Sequence, residues 1–378
     1  MSFGRKKIVF IVSSMQGGGA ERVASLLCNY WVEAGNDVML LPTFSSRGEC
    51  VYPLDERVQL EYLADHVSTQ GNIYLSKFLR FFELRKIVKN YSPDVVVSFL
   101  VQVNVVTIMA MLGTRIPVVV SERIFPPLHQ ISWVWSVLRR LTYPLATRVV
   151  AQTTAMKRWL EEYCRLSDVA VIPNPLMWPL PAGRDGVNPD DYIDPHRKII
   201  LAAGRFHHQK GFDLLLEAFG GIAMQFPEWD LVVLGDGPDK ESLVGQRQTL
   251  KLNKRIIFPG QVTNICDWYE QADIFAMSSR YEGFPNVLLE ALAYGVPAVS
   301  FDCETGPSEI ILNGESGLLV PLSQGIEGMA SAFRSLMESP EKRMHMSQKA
   351  LEVRQQFGIN LILDKWDAVF DCDCQLPS

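Results

Sequence analysis

Four side chains in the second half of the chain have the types and spacing of a charged binding site. Arg205 and Lys210 lie in "GRFHHQKGF", which leaves an apolar run and enters an amphipathic one. Two cations in a loop before a helix start can neutralise a diphosphate without a metal, helped by the free amides of the helix end. Glu282 and Glu290 lie in "RYEGFPNVLLEALAYGVPAVS", residues 280–300. Pro285 suits a first helical turn, so the amides of Gly283, Phe284 and Asn286 would face whatever sits at the preceding strand's end. Glu290 falls four residues after Asn286, one turn deeper on the same face. A carboxylate in a loop and another in the helix behind it can each accept two sugar hydroxyls. On this stretch alone, Glu282 could equally serve the helix dipole. A further loop, "SSMQGGGAERVASLL" at 13–27, places Gly17, Gly18 and Gly19 between a strand and a helix. Such a loop lets the backbone approach an anion or a sugar, or simply makes a tight turn. It is neither G-x-G-x-x-G nor a P-loop, so it does not by itself specify a nucleotide. His207 and His208 have no partner at metal-ligand spacing and read as loop residues.

The elements that must hold these groups are legible as apolar runs. In the first half they cover 7–13, 37–42, 94–99, 116–121, 147–152 and 169–173. In the second they cover 198–204, 229–235, 255–260, 273–278, 296–301 and 316–321. Continuous β-branched runs separated by amphipathic stretches imply an α/β protein with parallel sheets covered on both faces. A chain of 378 residues exceeds one comfortable core. The segment 176–196 is rich in Pro, Gly, Asp and Asn without periodicity, which marks a linker. That gives one domain over 1–175 and another over 197–355, with a helical stretch at about 356–378 expected to pack back on the first. Two doubly wound domains joined there would face a central cleft, with ligand loops at the carboxyl ends of the strands.

Composition excludes disordered and fibrous classes, with 48% hydrophobic and 21% charged residues. The net charge of −6 is uneven: residues 1–175 hold 19 Lys and Arg against 14 Asp and Glu, the remainder 17 against 28. A basic N-terminal half suggests an anionic partner there. The 7 cysteines are scattered and odd in number, as expected of free thiols in a reducing compartment. Cys372 and Cys374 form C-x-C with no second pair, which argues against a metal site. The basic start imitates a signal peptide, but its apolar run is short and ends in glycines and Glu21, so a buried first strand is expected. Gln102 and Asn104 interrupt the apolar stretch 95–113, which favours strand then helix over a membrane span.

Taken in order, "GRFHHQKG", "GDGP" at 235–238, "EGFPNVLLEAL", "GVPAVSFD" and "NGESGLLVP" at 313–321 resemble the retaining GT-B glycosyltransferases, and the family-4 nucleotide-sugar enzymes in particular. The "GGGAER" opening and "IPNP" at 172–175 agree, so the likeness spans nearly the whole chain. "FDCETGPSEII" at 301–311 and "VSERIFP" at 120–126 are most similar to members that extend lipid-linked or cell-surface glycans with galactose-type or N-acetylhexosamine residues. The resemblance implies two Rossmann-like domains, a UDP-sugar donor carrying GalNAc, Gal or GlcNAc, and a glycan acceptor on a polyprenyl diphosphate. It implies no metal or other cofactor and no nucleic-acid partner. It assigns Arg205 and Lys210 to the donor diphosphate and Glu282 to the transferred sugar, beside the donor loop Gly283, Phe284, Pro285, Asn286 and Val287. Glu290 would hold the ribose, Val262 would seat the base through backbone contacts, and Gly17 to Gly19 would lie near the reaction centre and acceptor. One departure stands out. Many relatives carry a histidine where this chain has Arg123. Arginine cannot shuttle a proton near neutral pH, so an acceptor phosphate or a sugar hydroxyl is its expected partner.

The reaction so implied moves a sugar with retention, the leaving phosphate oxygen taking the acceptor proton. No D-x-D motif stands at a strand end, since "NPDDY" at 188–192 lies in the expected linker. The stretches 72–91 and 129–145 mix aromatics with cations including Arg80, Arg139 and Arg140. Basic aromatic helices suit an anionic membrane interface, although core-packing helices look the same. A cytoplasmic protein held peripherally on the inner face of the membrane is therefore expected. The rivals are another GT-B activity, such as a nucleotide-sugar epimerase or a phosphorylase, and a non-catalytic sugar-binding protein. A phosphorylase needs a lysine for pyridoxal phosphate, and none is singled out. A sugar-binding protein of this build is usually exported. The missing G-x-G-x-x-G disfavours a dehydrogenase.

Overall fold

The computed structural model describes residues 5–43, 50–67, 73–128, 131–181, 183 and 186–371. The chain forms two compact units, Met1–Pro175 with Ile362–Ser378, and Leu176–Leu361. Each is built on one parallel sheet.

The first sheet contains β1 (Lys7–Val12), β2 (Asp37–Pro42), β3 (Gln59–Leu60), β4 (Val95–Phe99), β5 (Val118–Ser121), β6 (Arg148–Ala151) and β7 (Val169–Val171). Its order is β3-β2-β1-β4-β5-β6-β7, so the winding reverses between β1 and β4. β3 is two residues long and has no apolar run, which is why it is absent from the strands expected above. One face of the sheet buries Val9, Ile11, Val96, Val118 and Val120 against helices that contribute Leu84, Ile108, Met156 and Leu160. The other face is aromatic: Phe10 lies 5.8 Å from Trp31 and 4.6 Å from Phe99, ring centre to ring centre. Trp366, on the helix Ile359–Asp371, closes this face at 6.3 Å from Trp31 and 6.0 Å from Phe99.

The second sheet contains β8 (Lys198–Ala203), β9 (Trp229–Leu234), β10 (Ile256–Gly260), β11 (Ile274–Met277), β12 (Ala298–Asp302) and β13 (Gly317–Pro321), in the order β10-β9-β8-β11-β12-β13. Its alternation is clean. Ile199, Leu201, Val232, Leu234, Phe275 and Met277 enter one core, while Ile200, Ala202, Leu231, Val233, Ile274 and Ala276 enter the opposite one. A strand's side chains point to opposite faces with period two, so a run apolar at every position demands cover on both sides.

The segment 176–196 is more than a linker. Leu176, Leu180 and Ile193 are buried in the core of the second unit, and the Leu176 amide donates to the Phe357 carbonyl at 2.7 Å. Its prolines hide any periodicity, but three spaced apolar anchors fasten it. Among the described residues no helix is long and apolar enough to cross a membrane. Cys372 and Cys374 lie outside the described residues, and the five described cysteines are free thiols.

Candidate active site

In the second unit the winding reverses between β8 and β11, and two loops leave the carboxyl ends of those strands. A crevice at such a switch point is where open α/β sheets bind ligands. The loop after β8 carries Arg205, is anchored by the buried Phe206 ring, and closes in a short turn, His208–Lys210. Gly211 follows at φ +64°, and a Cβ there would run into the Ser278 carbonyl, so only glycine lets the two loops approach this closely. Ser278 Oγ donates to the Lys210 carbonyl at 2.9 Å, and the Arg280 amide donates to the Gln209 carbonyl at 2.8 Å. Arg280 also grips Asp213 with both Nη atoms, at 2.8 and 2.6 Å. Burial pushes the Asp213 carboxyl up, but the Arg280 hydrogen bond and charge outweigh it and hold the group below its ordinary range. These contacts fix two loops that are about seventy residues apart in sequence.

What they fix is an ion pair. Lys210 Nζ lies 2.6 Å from Glu282 Oε1, and Ser279 Oγ donates to the same oxygen at 2.6 Å. Glu282 is buried, and its Oε2 has no hydrogen-bond partner among the described residues. Thr305 Oγ1 donates to the Glu282 carbonyl at 2.5 Å. Gly306, at φ +99°, sits so close that a Cβ would press on Pro285 and the Gly283 carbonyl. The loop after β12 thus clamps the Glu282 loop from behind. The helix begins at Asn286, with Pro285 one place before it as the cap rather than inside the first turn. That offset changes little: Gly283, Phe284 and Pro285 are still buried at the helix mouth, with Asn286 and Val287 half-buried. Glu290 is buried one turn further in, with the Tyr269 hydroxyl 3.3 Å from its Oε2 and 3.1 Å from the Val287 carbonyl. Arg205 stays exposed at the same sheet edge, and Val262 is half-buried just past the carboxyl end of β10.

Sequence reasoning missed Ser279, Tyr269, Thr305 and the Asp213–Arg280 clamp. A serine ending a strand and a tyrosine inside a helix look ordinary in a sequence. Only the fold shows that they point at Glu282 and Glu290.

In the first unit Gly17 and Gly18 have φ of +129° and +149°, and the helix Gly19–Glu33 starts there. The Gly18 amide donates to the Tyr52 hydroxyl at 3.2 Å. The Glu21 carboxylate folds over Gly18, and burial pushes its pKa up. This helix start therefore already has a carboxylate of its own, which leaves it better matched to a hydroxyl than to a second anion. Glu122 and Arg123 follow β5. Glu122 is buried, with Oε1 accepting from the Tyr143 hydroxyl at 2.7 Å and from Arg139 Nη1 at 3.4 Å.

That pairing corrects one expectation. Arg139 is only 3% exposed, stacked 4.8 Å over the Trp159 ring, and belongs to the core rather than to a membrane surface. Arg80 is half-buried and donates to the Thr43 carbonyl, while Arg140 is exposed. A sequence shows that a helix is amphipathic without showing which face meets water.

Two doubly wound sheets, the second holding a cation–carboxylate pair at its switch point, define the GT-B class of sugar-transferring enzymes. Residues 17–176 match the family model described as Glycosyltransferase Family 4, and residues 189–353 match that of Glycosyl transferases group 1. The chain belongs to the GT-B glycosyltransferases of family 4. It is 29% identical over 369 residues to the amylovoran biosynthesis glycosyltransferase AmsD of Erwinia amylovora, covering 97% of this chain and 99% of that one. It is 27% identical over 362 residues, 95% of this chain and 97% of the relative, to a Campylobacter jejuni protein named as an N-acetyl-D-galactosaminyltransferase acting on an undecaprenol-linked glycan. Among solved structures, a sucrose-phosphate synthase from Thermosynechococcus elongatus superposes with a TM-score of 0.82 at 18% identity, over 97% of this chain and 98% of that one. Anabaena HepE in complex with UDP gives 0.78 at 19% identity, over 96% and 98%. At these identities the two structures speak to the fold.

Proposed function

We propose that this glycosyltransferase moves a hexose or N-acetylhexosamine from a UDP-sugar to a hydroxyl of a polyprenyl-diphosphate-linked glycan, with retention and without a metal. The observation that carries the reading is the Lys210–Glu282 pair at 2.6 Å, held at the switch point with Oε2 of Glu282 open. In this reading Lys210 and Arg205 bind the donor diphosphate, Glu282 Oε2 accepts a hydroxyl of the transferred sugar, and Glu290 accepts the ribose hydroxyls. The Gly283–Asn286 amides add neutral donors beside them.

The reaction breaks the bond from the anomeric carbon to the diphosphate oxygen and forms a bond to the acceptor oxygen on the same face. The acceptor proton passes to the departing phosphate oxygen, which balances the charge and calls for no separate base. Fixed cations and amides stabilise the growing negative charge, and losing one such donor typically lowers the rate on the order of 100-fold or more. Metal independence rests on that cation pair.

The acceptor class draws on the Campylobacter relative's name and on the surface of the first unit. Residues 73–145 carry nine Lys and Arg against three Asp and Glu. The helix Trp133–Thr142 turns Trp133, Val137 and Leu141 to solvent, at 76%, 43% and 64% exposure, beside Arg140. Phe78, Leu79 and Phe82 are exposed on the helix Ile73–Tyr91. Exposed apolar side chains beside Arg140 suit the interface of an anionic bilayer, where such an acceptor resides.

The test is a thermal-shift panel of UDP-sugars, followed by mass spectrometry with short undecaprenyl-diphosphate glycans. One UDP-sugar should raise the melting midpoint, and its sugar should appear on the acceptor in the presence of EDTA. Transfer that vanishes in EDTA and returns with manganese would refute metal independence. A melt that no nucleotide sugar moves would refute the donor assignment.

A further inference from the structure

Two arginines of the first unit are buried, and they are treated differently. Arg139 has Glu122 as its counter-ion at 3.4 Å. Arg123 is only 7% exposed and has no carboxylate partner among the described residues. Its guanidinium lies 4.2 Å over the Phe99 ring, donates from Nη2 to Asn174 Oδ1, and reaches Ser121 Oγ from Nη1 at 3.5 Å, the limit of a hydrogen bond. Nε has no hydrogen-bond partner among the described residues. Five N–H donors are available on a guanidinium, and most of these remain unused.

Burial pushes Arg123 down to about 9, which still leaves it a cation at neutral pH. An unpaired buried charge is among the most unfavourable features a fold can carry, and a fold normally supplies a counter-charge or dispenses with the cation. Here the surroundings hold the cation in place. Gln152 Nε2 donates to the same Asn174 Oδ1 at 2.6 Å, so the Asn174 amide is fixed from both sides. Gln152 is itself buried, with Oε1 unpartnered. Asn174 belongs to the "IPNP" stretch just past β7, Gln152 follows β6 and Arg123 follows β5. Three neighbouring strands thus deliver one polar side chain each to one point, at the edge where ligands of such sheets bind.

We propose that Arg123, positioned by Asn174 and Gln152, forms an oxyanion site in the first unit, and that its ligand is a phosphate or carboxylate group carried by the acceptor. The naming of the acceptor rests on the transfer reading above; the oxyanion site itself does not. The bound group supplies the counter-charge that the fold withholds. The guanidinium's Nε and Nη donors present a planar fork that matches a phosphate or carboxylate edge, and Phe99 backs the fork from one face. The price of the arrangement is stability in the unliganded protein.

That trade makes the test independent of any transfer assay. Thermal melts use the full chain carrying Arg205→Ala and Lys210→Ala, in phosphate-free buffer, so that the site of the second unit contributes no phosphate affinity. Pyrophosphate, geranyl diphosphate and glucuronate are the probes. At least one should raise the melting midpoint, and adding Arg123→Met should weaken its apparent affinity at least about tenfold. Asn174→Asp gives Arg123 a carboxylate of its own. It should raise the midpoint by about 2–4 °C without added anion and abolish the response to anions. A response to both diphosphates and not to glucuronate assigns the ligand as a phosphate; the reverse assigns a sugar acid. Three results overturn the site: no response to any probe, which leaves only buried water there; an undiminished response in Arg123→Met; or a lower midpoint in Asn174→Asp. If Arg123→Met does not fold, the Asn174→Asp pair of measurements decides alone. Loss of UDP binding on introducing Arg205→Ala and Lys210→Ala is read in the same series, so the donor reading and the oxyanion site fail separately.

Discussion

Glu282 is held on one oxygen, while the other has no hydrogen-bond partner among the described residues. Glu282→Gln removes the charge that Lys210 and Ser279 orient, so turnover should fall on the order of 100-fold with a smaller change in donor KM. Glu290→Gln should act the other way, raising donor KM by about tenfold with kcat less affected. Steady-state kinetics with the active UDP-sugar check both, and equal, negligible effects would reduce the stretch to a helix cap. Ser279→Ala should lower kcat by about tenfold, because a hydrogen bond to a charged group is worth roughly 1.5–3 kcal/mol. Lys210 and Glu282 could be singled out in the sequence because charged residues in loops after apolar runs stand out, and Glu290 because it falls one helical turn after Asn286. Ser279, Tyr269 and Thr305 could not. Their importance comes from partners that only the folded sheet brings near, as Thr305 does for the Glu282 carbonyl. Arg123 was legible as an anomaly, but its lack of a counter-ion was not, since Glu122 adjoins it in sequence and turns away to Arg139.

At the scale of elements, most strands followed from the apolar runs to within a residue or two, because a parallel strand covered on both faces is apolar at most positions. The helices were less transparent. In the helix Trp133–Thr142, Trp135 and Leu138 pack on the core beside the buried Arg139, while Trp133, Val137 and Leu141 are turned out. Changing both Trp133 and Leu141 to Asp should therefore leave the fold intact and sharply reduce co-flotation with phosphatidylglycerol-containing liposomes at low salt. Unchanged flotation would dissociate this helix from the membrane. Removing Arg140 alone should have a modest effect, about 1 kcal/mol near a charged surface.

The whole molecule carries its charge unequally, and its two units carry their duties unequally. Every residue assigned to the donor lies within Leu176–Leu361, whose core is self-contained. UDP should therefore protect backbone amides of that unit from hydrogen exchange, by an amount that grows with concentration. Protection spread evenly over residues 5–175 as well would contradict the assignment. The compact units part at Pro175 and Ile362, and the segment 176–196 fastens to the second of them through Leu176, Leu180 and Ile193.

The helix Ile359–Asp371 has a consequence for how the protein comes to exist. Trp366 completes the aromatic face formed by Phe10, Trp31 and Phe99, so the first unit waits for a residue that follows the second unit in the chain. On the ribosome, where synthesis runs from the N-terminus, the second unit has all its residues before the first one does. Throughout that interval the nascent first unit is expected to leave its aromatic face uncovered and open to chaperones. Trp366→Ala should lower stability by about 3–5 kcal/mol and reduce the soluble yield more than the equilibrium loss alone explains. Co-expression with a chaperone that shields apolar surface should restore that yield.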